Sequence, residues 1–71
     1  MIALSFHKEL YHGPAIDEAV KAFARVAVCE LVEEEHRFLV NVTANKPEKE
    51  LVVAKELDNF ALGLSIEKYS G

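Results

Sequence analysis

Cysteine occurs once in this 71-residue chain, tryptophan does not occur, and there are only three glycines and two prolines. A lone thiol at Cys29 cannot close an internal disulfide, so packing has to hold the fold together, and a reducing compartment is expected. The scarcity of glycine and proline leaves no linker or low-complexity tract, and there is no internal repeat. No apolar run approaches the roughly 18 residues of a membrane span. The stretch IALSF after Met1 lacks a basic flank and is too short for a signal peptide, which makes a cytoplasmic protein the expectation. Clustered bases are also missing. Net charge is −4, and Lys8, Lys21, Arg25, Arg37, Lys46, Lys49, Lys55 and Lys68 are scattered along the sequence. Phosphate binding needs grouped cations, so nucleic acid is not an expected partner.

What the chain does have is apolar content, 51% of its residues. That is too much for disorder and enough for one domain over residues 1–71, near the size at which small domains complete their burial by oligomerising. Ile2, Leu4 and Phe6 alternate with Ala3, Ser5 and His7 as in a half-buried strand. YHGP breaks that pattern. Pro14 suits a first helical position, Gly13 an N-cap, and Asp17 and Glu18 a first turn, predicting a helix from Pro14 to about Arg25. Ile16, Val20 and Phe23, with Ala19 and Ala27, recur at helical spacing.

RVAVCELVEEEHRFLVNVTAN reads as a β-hairpin turning at EEEH. Phe38, Val40 and Val42 share one face of its second arm. In the first arm either Val26, Val28 and Val32 or Ala27, Cys29 and Leu31 face inward, and Glu30 in the former set leaves the register open. NKPEKE then starts a second helix, with Pro47 in its first turn, Asn45 or Lys46 as cap, and Glu48 and Glu50 at the positive end of the dipole. Both helices are expected on one face of the sheet, as an α+β two-layer sandwich.

The ending has two readings. If the helix continues to about Lys68, Val53, Leu57, Phe60, Ala61 and Leu64 form the stripe that packs on the sheet. Val52, Asn59, Leu62 and Ile66 then fall on another side, with the stem of Lys55. A domain this small buries only one side of a helix, so that second patch needs a partner. Each of its three aliphatic side chains is worth roughly 1.5–3 kcal/mol when fully buried. If the helix instead stops with Gly63 as a left-handed cap, LSIEKY becomes a strand over 64–69 and the order is the ferredoxin-like β-α-β-β-α-β. That version would suit a small-ligand-binding or regulatory module. It leaves almost no connector before the strand, which favours β-α-β-β-α with a long C-terminal helix.

Tyr11 before the first helix, the Ala19, Ala22 and Phe23 pattern within it, and Asn59 and Leu62 in the Leu-rich last helix carry a family resemblance. Over most of its length the chain resembles the small HxsD-type proteins of the His-Xaa-Ser peptide system. The resemblance implies an accessory role beside a radical-SAM peptide-modifying enzyme, with peptide or protein contacts and no chemistry of its own.

Chemical sites are weakly signalled. Glu33, Glu34, Glu35 and His36 have the polarity of ligands but the pattern of a solvated turn. His7 and His12 flank the join between first strand and first helix with no further ligand at suitable spacing. Cys29 lies in a strand without an adjacent base, and Gly13-Pro14 lacks the glycines of a phosphate loop. Ser5, Ser65 and Ser70 have no triad context. The expectation is therefore a non-enzymatic protein without metal or cofactor. It is expected to form a homodimer or bind a protein or peptide through Val52, Asn59, Leu62 and Ile66.

Overall fold

The structure, a computed structural model, describes residues 1–70, with side chains for 1–67. The side chains of Lys68 and Ser70 therefore lie outside the described residues. Strand β1 (Ile2–His7) leads to helix α1 (Gly13–Ala22), then strands β2 (Ala27–Glu33) and β3 (Arg37–Ala44). A 3-10 turn at Pro47–Lys49 runs into helix α2 (Glu50–Ser70). The sheet order is β1-β3-β2, and both pairings are antiparallel. The β-α-β-β-α order and two-layer α+β architecture are those expected of the longer-helix reading.

Register fixes which face is buried. Leu4 pairs with Val40 and Phe6 with Phe38, while Ala27, Cys29 and Leu31 stand opposite Ala44, Val42 and Val40. The open choice in the first hairpin arm is thus settled for Ala27, Cys29 and Leu31, because β3 can turn only its Val40–Val42 side to the helices. Phe6, Val40, Val42, Ala27 and Ala44 form one core with Ile16 and Ala19 of α1 and Val53, Leu57 and Ala61 of α2. Burial fades along β2: Ala27 is buried, Cys29 half-buried and Leu31 exposed. The outer strand runs out from under the helices.

Helix α1 differs from expectation at both ends. Its N-cap is His12, in an extended conformation, and Gly13 is already helical. The first turn therefore holds no acid, and Asp17 instead pairs with Lys21 at 2.9 Å. An alanine Cβ at Gly13 would lie 3.1 Å from Cζ of Phe38, so the glycine lets the start of α1 approach that ring closely. The helix also stops at Ala22 rather than near Arg25. There the carbonyl of Phe23 accepts the N–H groups of Val26 and Ala27, which turns the chain into β2.

The C-terminal strand of the ferredoxin-like alternative does not form, because residues 64–70 are helical. Gly63 has no positive φ and so ends nothing. The reason lies on the inner side of α2. Leu57, Ala61 and Ser65, each four residues apart, are fully buried, so the packed stripe continues straight past the glycine. Phe60, expected on that stripe, sits at its margin, with its ring edge-on to Phe23 at 5.8 Å.

Candidate interaction surface

Three contacts orient α2 and thereby determine which side faces water. The Tyr11 hydroxyl donates to Oδ1 of Asp58 at 3.2 Å, and the His12 N–H donates to Oγ of Ser65 at 3.1 Å. These partners lie two turns apart on one side of α2, so the segment entering α1 grips the last helix at two points. At the other end the carboxylate of Glu50 meets the N-terminal ammonium at 2.6 Å and accepts the N–H of Ala44. The bond to the ammonium holds that carboxyl below its ordinary range.

With the inner stripe fixed, the residues singled out from the sequence come together on the opposite, solvent side. Val52 is 52% exposed, Leu62 39% and Ile66 57%, and Asn59 is exposed between them. Leu51, 59% exposed, joins the same face and went unnoticed in the sequence, where it reads simply as part of the helix start. Gly63 is also exposed there, and a Cβ added to it would meet nothing within 4 Å. The surface is an apolar ridge interrupted by Lys55 and one amide.

Beside the N-terminal half of this ridge lies a cavity of about 400 Å³, lined by Val26, Val52 and Val53 with Arg25, Lys46, Lys49 and Glu56. Asn45 ties its walls together. The Asn45 side-chain amide donates to the carbonyl of Arg25 at 2.8 Å, and its backbone N–H donates to that of Val26 at 2.9 Å. Three bases that look scattered in the sequence therefore border one apolar hollow. Nothing in the spacing signals this, because Arg25 and Lys46 meet only when the hairpin between them closes.

The other candidate groups do not converge. Among the described residues no group of three or more His, Cys, Asp and Glu side chains is placed to hold a metal ion. Glu34, Glu35 and His36 occupy the hairpin turn, where Glu34 bonds Arg37 at 2.7 Å, while Glu33 at the end of β2 pairs with Lys8 at 2.7 Å. Burial pushes the Cys29 thiol up, so little thiolate is present at neutral pH. Among the described residues no helix is long and apolar enough to cross a membrane. A second exposed apolar surface, also not read from the sequence, lies on the outer strand at Val28 and Val32, with Glu30 between them. That acid is the kind of residue that keeps an open sheet edge from pairing with other chains.

No family model, curated protein or solved structure matches this chain.

Proposed function

We propose that this is a non-enzymatic interaction protein that associates through the solvent side of α2, with a second copy of itself as the partner. Val52, Asn59, Leu62 and Ile66 form the contact. The observation that carries the reading is the second apolar side of a helix whose first side is already buried: Leu51, Val52, Leu62 and Ile66 are all exposed. Single exposed aliphatic residues are ordinary on any protein surface, but several grouped on one helix face mark a contact site. A two-fold interface would bury the same ridge on both copies. The resemblance to HxsD-type proteins supports the same class, a small accessory protein that contacts peptide or protein. A cytoplasmic setting fits the lone, half-buried thiol, and cell fractionation checks it.

Leu62→Glu combined with Ile66→Glu tests the reading, because both positions are exposed in the single chain and tolerate charge there. The expected product is a monomer with an unchanged far-ultraviolet circular dichroism spectrum, where the wild type self-associates at micromolar concentration in sedimentation equilibrium. A wild type that stays monomeric throughout that range overturns self-association.

A further inference from the structure

Charge is distributed unevenly along the ridge. At its N-terminal end Arg25, Lys46 and Lys49 border the cavity, and Lys55 lies on the ridge itself. Among the described residues none of these four forms an ion pair, whereas Lys8, Lys21 and Arg37 each do. Among the described residues Glu56 is the only acid lining the cavity. At the other end, Ile66 is followed by exposed Glu67, in the part of the helix where the macrodipole is negative. One end of the ridge thus offers an apolar hollow with spare positive charge. The opposite end offers an aliphatic side chain next to a carboxylate.

These two ends are equally far from Asn59. Val52 lies seven residues before it and Ile66 seven after it, about 10 Å along the axis in each direction at 1.5 Å per residue. A two-fold axis at Asn59, crossing two antiparallel helices, sets each Val52 against the Ile66 of the other copy. We infer that α2 pairs antiparallel with α2 of a second copy, with Ile66 and Glu67 of each chain entering the cation-bordered cavity of the other. This arrangement rests on the self-association proposed above and gives it an orientation. Asn59 meets its own copy at the axis, where an amide both donates and accepts. Gly63 lets the two backbones approach, and the apolar stem of Lys55 from the second copy lies across it. A parallel pair would instead bring these cations towards their own copies and Glu67 towards Glu67, and such like-charge contacts are penalised at interfaces.

Two measurements test the orientation, both distinct from the question of whether the chain self-associates. The first uses a Cys29→Ser background, with Val52→Cys and Ile66→Cys proteins mixed in equal amounts and equilibrated in a glutathione buffer. The antiparallel pair gives predominantly the mixed disulfide. The second uses charge reversal: Lys49→Glu and Glu67→Lys each weaken self-association by about tenfold, and the two together in one chain restore it. Disulfides between identical variants, or weakening that the double reversal does not repair, overturn the antiparallel arrangement while leaving self-association standing. A dimer that forms neither kind of disulfide overturns it as well. A monomeric wild type removes both readings.

Discussion

Replacing Gly63 by alanine adds one methyl group in the middle of α2, and the structure fixes the sign of its effect within a single chain. The new Cβ meets nothing within 4 Å, and the residue has no positive φ, so the substitution introduces neither a clash nor backbone strain. What remains is helix propensity and the lower entropy of the unfolded chain, together about 0.5–1 kcal/mol in favour of alanine. For a domain of this size 1 kcal/mol corresponds to roughly 4–8 °C, so Tm should rise by about 2–8 °C. The assay is thermal unfolding followed by circular dichroism, in a solution dilute enough to hold the monomer. In the antiparallel pairing proposed above the same methyl group would stand between two helices, so self-association should weaken while the single chain is stabilised. A fall in Tm under dilute conditions would refute the reasoning. It would mean that the helix does not pass straight through Gly63, or that something packs against its open side.

Ser65→Ala removes the acceptor of the His12 N–H from a fully buried position. The expected cost is about 1–2 kcal/mol, read as a lower urea midpoint with an unchanged m value; an unshifted midpoint contradicts the grip between α1 and α2. The phenol of Tyr11 is raised above its ordinary value, first by burial and then by the charge and hydrogen bond of Asp58. The folded state therefore favours the neutral phenol. Its contribution to stability is complete below the ordinary tyrosine range and is lost as pH climbs through the raised value. Asp58→Asn should bring the titration partway back, followed by phenolate absorbance in a Tyr69→Phe background; a Tyr11 that titrates like free tyrosine contradicts the contact.

Much of the layout was legible because it depends on periodicity. Phe38, Val40 and Val42 reveal a strand face, and Val53, Leu57 and Ala61 a helix face, whatever lies elsewhere in the chain. The solvent ridge follows by subtraction, as Val52, Asn59, Leu62 and Ile66 are what remains once the inner stripe of α2 is assigned. Other features depend on distant pairing and so left no local signal. The first hairpin arm stayed ambiguous because Glu30 shares a face with valines, and only the pairing of Cys29 with Val42 decides it. Apolar spacing overextends helix α1 because it continues through Phe23 and Ala27, although the Phe23 carbonyl is already turning the chain. Ser65 has no triad context in the sequence, and its place as acceptor of a backbone N–H inside the core depends on His12, far away along the chain. The cavity needed both ends of the hairpin, Arg25 and Asn45, brought together.

The continuous anchoring of α2 affects how anything can bind to it. Val53, Leu57, Ala61 and Ser65 hold the helix along most of its length before any partner arrives. Fixing a backbone costs about 1–2 kcal/mol per residue, and here folding has already met that cost, so association need not order the helix. A short ridge of a few aliphatic side chains can then suffice where a segment that folds on binding would need a much larger surface. The corresponding signature is a small heat-capacity change and no gain of helix on association. The ridge belongs to the folded domain, and any partner would meet it in its final shape.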